Sequence, residues 1–268
     1  MTTVAVAMVK DEADIICTVV RHMATHVDAV IVADNMSTDG TAEILREVGA
    51  ELGERLYVFP DKEPGYYQSA KMTALARRAR EIFGADWIVP FDADEIWYSP
   101  HADRVADVLE GLAPQWLVAQ ARLYDHVATG ADPDLVDPVR RMKWRRTEPG
   151  ALPKVAVRWR DDLVIGMGNH DAHYDGGPSI WPEHQIVIRH FPYRSAEQFT
   201  RKAINGAKAY AAAPDLRADY GTHWKQYGAL IDNDPEAGGE IFRTWFWTRD
   251  PTEKASGLTL DPAPARRR

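Results

Sequence analysis

The stretch WIVPFDADEIW, residues 87–97, decides the fold class. Trp87 to Phe91 is an unbroken apolar run, which is how a strand reads when helices cover both faces of a parallel sheet. It runs straight into Asp92-Ala93-Asp94-Glu95. In an extended segment alternate side chains point the same way, so Asp92 and Asp94 are expected to present their carboxylates together, with Ala93 turned the other way. Such a pair suits a hard divalent cation, and the carboxyl ends of strands are where open α/β sheets take their ligands. The competing reading is a solvated turn in which Asp94 or Glu95 caps the next helix.

Working outward, the segments on the amino-terminal side alternate between strand and helix, as βαβ units do. TVAVAMV reads as a first strand. Ile16, Val19, Val20, Met23 and Val27 recur at helical spacing, so a helix is expected from about 12 to 26. AVIVAD is a second strand ending at Asp34, NMSTDGT is a turn, TAEILREVG is a helix ending at Gly49, and LYVFP is a third strand. Met72, Leu75, Ala76, Ala79 and Phe83 mark a long amphipathic helix before the strand at 87. Beyond it, WLVAQARLY and QIVIRHF read as strands. The stretch 125–153 is expected to be irregular, as functional or mobile segments are. SAEQ reads as a capping box in which Ser195 and Gln198 satisfy each other's backbone donors, opening a helix through about Ala213. FRTWFWT is expected to pack back on the body, and the chain from about Thr252, ending in PAPARRR, to be a frayed, solvated tail.

The 268 residues, 45% hydrophobic and 27% charged, are enough for one catalytic unit with a large core. A net charge of -8 without a basic run argues against a nucleic-acid surface. No run approaches the roughly 20 apolar residues of a membrane helix, and the first residues lack the basic region of a leader. Cys17 is the only cysteine. No internal disulfide is then possible, which fits a reducing compartment such as the cytoplasm, and its place in IICTVV reads as core.

VKDEADII, ADNMSTDGT and FDADEIW together resemble glycosyltransferase family 2, whose members have the GT-A fold. The likeness is strongest over residues 4–97, and IRHFPYRSAEQFTRKAINGAKAY is similar to the terminal signature of a bacterial subgroup. The resemblance implies an α/β fold, a GT-A type nucleotide-binding sheet, mainly parallel and flanked by helices, with a smaller acceptor-side region. By position, residues 1–100 would be the nucleotide-sugar-binding half. Residues 101–250 would be the acceptor-binding and carboxyl-terminal half of the same domain, and 251–268 a flexible tail.

It also implies roles. Lys10, Asp11, Glu12 and Asp34 would contact the nucleoside, Asp34 taking base or ribose, as a strand-end carboxylate can. Asp92, Asp94 and His190 would hold manganese or magnesium, with Asp92 and Ala93 against the donor. Lys71, Lys154, Arg194 and Lys202 would supply cations to nucleotide, phosphate or substrate. For the base that takes the acceptor's proton, one cluster stands out in the residues themselves. GMGNHDAHYDGG gathers His170, Asp171, His173 and Asp175 between glycines. Asp171 is the preferred base, with His170 orienting it or the acceptor, and Glu148 is the alternative. A zinc site at His170 and His173 would lack further ligands. Trp97, beside the acidic motif, is the aromatic expected nearest the substrate.

The expected activity is metal-dependent transfer of a hexosyl group from a nucleoside diphosphate sugar, a UDP-sugar first, to an acceptor hydroxyl, with inversion implied by the resemblance alone. The ED pair and QxxRW element of many processive members are missing, which disfavours a polymer-making synthase. Nucleotidyl transfer would want a glycine-rich loop where KDEAD stands, an aspartyl phosphatase would want threonine or valine after Asp94, and a binding protein without turnover would keep only the pocket.

Overall fold

The computed structural model describes residues 1–262. Of the PAPARRR end, residues 263–268 lie outside them. The chain divides into two compact units: the first holds 1–62, 68–124 and 149–190, the second 63–67, 125–148 and the chain from Phe191 onward. The chain passes between the two units several times.

In the first unit, β1 (Thr3–Val9), β2 (Ala29–Asp34), β3 (Leu56–Pro60) and β4 (Trp87–Pro90) form a parallel sheet in the order β3-β2-β1-β4. Between them run α1 (Ile16–His26), α2 (Thr41–Leu52) and α3 (Gln68–Phe83). After β4 come β5 (Glu95–Tyr98), α4 (Val105–Glu110) and β6 (Val118–Thr129). The second unit receives the far end of β6, then α5 (Pro138–Arg141) and β7 (Trp144–Arg146). The chain returns as β8 (Lys154–Arg158), antiparallel to both β4 and β6, followed by the short antiparallel pair β9 (Val164–Ile165) and β10 (Ala172–His173). The long β11 (Ile180–His190) then runs antiparallel to β5. The sheet is thus mixed: parallel where the helices cross over, antiparallel beyond β4.

Alternation along the strands explains the core. Val4, Val6, Ala29, Ile31, Ala33 and Ile88 share one face with Met72, Leu75, Ala76 and Ala79 of α3, all buried. At about 25 cal/mol per Å² of apolar surface removed from water, this layer holds the unit together and fixes the strand ends.

The second unit contains α6 (Ala196–Ala211), α7 (Thr222–Asn233) and α8 (Ala237–Ile241), then β12 (Trp247–Thr248) and β13 (Leu258–Leu260). FRTWFWT packs inward in part: Phe246 lies 3.9 Å from Tyr193 and 5.1 Å from Phe199, ring centre to centre, while Trp245 is exposed.

Several expectations change. The first helix starts at Ile16, not 12, because the backbone N–H groups of Asp11, Glu12 and Ala13 donate instead to Ser37 Oγ, Thr41 Oγ1 and Asp39 Oδ2. α2 runs past Gly49 and stops at Gly53, whose φ of +60° is open to glycine. The 125–153 stretch carries the end of β6, α5 and β7. The capping box is half formed: Ser195 Oγ accepts from Gln198 N, but Gln198 Oε1 takes the N–H of Arg194. The end of the chain is not frayed from Thr252, since β13 pairs with β7 and Asp261 N donates to Lys143 O. Cys17 is half-buried, with Arg21 Nη1 2.9 Å from its Sγ.

Candidate active site

Three parallel strands end side by side at Val9, Asp34 and Pro60, and the loops leaving them are tied to one another. Asp11 has a left-handed backbone (φ +53°), and its Oδ1 accepts from Thr38 N at 2.6 Å. Together with the N–H donations of Asp11, Glu12 and Ala13, this bond zips KDEA onto STDGT. Lys10 Nζ donates to the carbonyls of Asn35 and Met36, so this lysine braces the loop. Asp34 Oδ1 is buried without a hydrogen-bond partner. Beside it, Asn35 Nδ2 donates to Asp61 Oδ2 at 2.8 Å, and Lys71 pairs with the same oxygen at 2.6 Å. Asp61 and Asn35 belong to this end of the sheet, and reading β3 by the strand-end rule that picks out Asp34 would find Asp61 as well.

At the end of β4 the geometry departs from the extended segment expected. Pro90 has no N–H to continue a ladder, Glu95 N bonds Asp92 O at 3.1 Å, and residues 92–95 form a turn. Glu95, wholly buried, closes it: its Oε2 accepts from Asp92 N and from the indole Nε1 of Trp97. Trp97 is therefore core, with no exposed face for a sugar.

Asp92 is held on both oxygens. Lys154 Nζ lies 2.5 Å from Oδ2 and 3.1 Å from Glu95 Oε1, and Asn169 Nδ2 donates to Oδ1 at 3.1 Å. Burial pushes the Glu95 carboxyl above its ordinary value, with Lys154 pulling the other way. Burial also works against the charge on Lys154, but Asp92 and Glu95 outweigh it and raise the ammonium above the usual lysine value. Asp94 is 2% exposed, and its Oδ1 lies 3.5 Å from His190 Nε2 at the end of β11; Ala93 between the aspartates is buried.

His170 and Asp171 follow a short 3-10 turn. His170 Nδ1 donates to Pro153 O at 2.8 Å, which leaves Nε2 as the acceptor of the neutral ring. Burial is the main cause that holds its pKa below the ordinary imidazole value. Asp171 is exposed and lies 3.8 Å from His173. Glu148, the alternative base, is an exposed residue of the second unit.

Arg194 and Lys202 also belong to the second unit. Arg194 is buried: Nη1 donates to Phe191 O, while its own carbonyl accepts from Arg141. Lys202 Nζ lies 3.4 Å from Pro192 O.

Asp94 and His190 are donors of the kind manganese accepts, and if they held such an ion, two protein ligands would leave room for oxygens of another molecule. Among the described residues no group of three or more His, Cys, Asp or Glu side chains is placed to share a metal ion. No helix among them is long and apolar enough to cross a membrane.

No curated protein matches the chain. Among solved structures it is similar to the S. aureus TarS 1–349 in complex with UDP, at 14% identity and TM-score 0.42, over 91% of this chain and 73% of that one. It is also similar to the mannosyltransferase PcManGT of Pyrobaculum calidifontis in complex with GDP-Man and Mn2+, at 20% identity and TM-score 0.46, over 90% and 74%. A third is glucosyl-3-phosphoglycerate synthase of Mycobacterium tuberculosis, at 19% and 0.31, over 46% and 44%. Likeness at this level says nothing of the donor or acceptor used here. The sequence itself is more specific: residues 6–130, from within β1 through β6, match the model of glycosyl transferase family 2. That stretch, which contains the strand ends, the zipped loops and the Asp92–Glu95 turn, is the part of the chain that is similar in sequence to glycosyl transferase family 2.

Proposed function

We propose that this chain is a divalent-metal-dependent hexosyltransferase that uses a nucleoside diphosphate sugar, UDP-linked in the first instance, and transfers the sugar with inversion to an acceptor hydroxyl. The observation that carries the reading is the nearly buried Asp94 beside His190, next to an Asp92 whose two oxygens are already fixed, all near the carboxyl ends of parallel strands. Buried carboxylates are costly unless paired, so Asp94 and Glu95 buried in one turn beside the half-buried Asp92 favour a site over a structural accident.

In this reading Asp34 Oδ1 accepts from the base or a ribose hydroxyl, and the zipped 10–13 and 35–41 segments shape the nucleoside pocket. Lys71 anchors Asp61 and Asn35 there. Asp94 and His190 hold manganese or magnesium, which when bound neutralises charge on the departing diphosphate. Asp92 faces the donor through its remaining lone pairs, with Lys154 paired to its Oδ2. The acceptor oxygen bonds to the anomeric carbon as the bond to the diphosphate breaks, and its proton goes to the His170–Asp171 pair. Of these two, His170 is the better prepared, with Nδ1 committed to Pro153 and Nε2 open.

The test is release of free nucleoside diphosphate from UDP-glucose, UDP-N-acetylglucosamine and GDP-mannose in the presence of manganese. Slow hydrolysis of one donor, stopped by EDTA and in Asp94→Ala, supports the reading. Tight donor binding with no release, acceptors included, would instead assign a binding protein.

A further inference from the structure

Asn169 is the residue whose burial, backbone and bonding are least explained by folding. It is wholly buried, yet it sits at φ +56°, a left-handed conformation that L-residues rarely adopt and that asparagine tolerates better than most. Its Nδ2 donates to Asp92 Oδ1 at 3.1 Å, and its Oδ1 is buried without a partner. The turn that holds it is fixed from α3. Gln68 Oε1 accepts from Gly168 N at 2.7 Å, Ser69 Oγ donates to Ile165 O, and Thr73 Oγ1 accepts from Ile165 N. Gly168, at φ +72°, leaves room for the His170 ring, since a Cβ there would come within 2.4 Å of His170 Cδ2. One short turn therefore joins a contact to the donor-side carboxylate, at Asn169, to the candidate base, at His170, by a single peptide bond.

We infer that Asn169 is a positioning residue of the transfer reaction. With Lys154 on Oδ2 and Asn169 on Oδ1, the Asp92 carboxylate cannot rotate, and two of its roughly four lone-pair directions are taken. The remaining directions are then fixed toward the donor. Backbone strain at a site is kept where the surrounding structure uses it, and here the strained residue sets both the rotamer of Asp92 and the start of the acceptor-side segment. This inference rests on the donor-site reading.

The experiment compares wild type with Asn169→Gly and Asn169→Asp in thermal melting and in calorimetric titration with UDP, each with manganese and without. Glycine adopts the left-handed backbone freely, so a role limited to the backbone survives Asn169→Gly. Aspartate keeps the shape and backbone tolerance but turns a donor into an anion facing Asp92. The expected result is cooperative melting in both variants, with manganese-dependent UDP affinity at least about tenfold weaker, as for a lost hydrogen bond to a charged group. Folded variants that bind UDP within twofold of wild type would overturn the inference alone. Collapse of both variants would make Asn169 a folding residue and overturn it too. Wild-type protein that binds no UDP would overturn the donor-site reading, and this inference with it.

Discussion

Asp92, Asp94, Glu95 and Lys154 form a compact charge problem: three carboxylates within four residues and one buried ammonium. Lys154 lies between two of them. Lys154→Met removes the cation and leaves the wholly buried Glu95 facing Asp92, so the variant is expected to lose about 3–5 kcal/mol in urea denaturation, the usual cost of breaking a buried pair. A loss under about 1 kcal/mol would mean that the pair is solvated and that Asp92 is not held as described. At the sheet's other strand ends the same scale gives a milder result. Asp34→Ala leaves the fold alone, because its Oδ1 bonds nothing in the protein, and weakens UDP binding by about tenfold. Unchanged binding would remove Asp34 from the nucleoside pocket.

At the scale of elements, the turn between β9 and β10 is the most sensitive place. Gly168→Ala forces a side chain into a left-handed position and against the His170 ring, and is expected to cost about 1–2 kcal/mol and displace the candidate base. Equal stability of Gly168→Ala and wild type in denaturant would show that the turn relaxes freely. This scale also separates the parts of the fold that are legible in the sequence from those that are not. The buried parallel strands β1, β2 and β4 are legible from their apolar runs, and in β2 and β4 the aspartate at or just past the end of the run also marks the carboxyl end. α3 is legible from Met72, Leu75, Ala76 and Ala79 at helical spacing. The start of α1 is not, because its first turn is replaced by side-chain bonds from residues 37–41, a contact about 26 positions away in sequence. The Asp92–Asp94 pair can be read, but not the turn that Glu95 builds beneath it, nor the engagement of Asp92 by Lys154 and Asn169. Those partners come from segments 62 and 77 residues further on. Trp97 is misread from sequence for a local reason, since only the fold reveals that Glu95, two residues away, draws its indole inward.

At the scale of the whole chain, pH exposes the balance of buried groups. His26, His170 and His223 all have pKa values below the ordinary imidazole, burial being the main cause in each. As pH falls from 7, the unfolded chain takes up protons at these histidines before the native chain does, so native stability falls, down to the folded-state values. Glu95, raised by burial, works in the opposite sense over this range, because the native carboxyl binds a proton at a pH where the unfolded one does not. Asp132, raised by burial, acts in the same sense as Glu95, so three histidines stand against two carboxyls; because unfolded histidines titrate nearest neutrality, the melting temperature is expected to decline between about pH 7 and 6. A flat or rising profile would contradict the burial assigned to those histidines.

At their carboxyl ends, the strands of the first unit are proposed to hold a nucleoside diphosphate through a metal at Asp94 and His190. Calorimetric titration of wild type and Asp94→Ala with UDP, with and without manganese, tests this most directly. The expected result is micromolar UDP binding by wild type that requires manganese and is weakened at least about 100-fold in Asp94→Ala, the loss of a ligand from a two-residue metal set. Binding of equal strength in both proteins, or no binding of wild type under either metal condition, would contradict it.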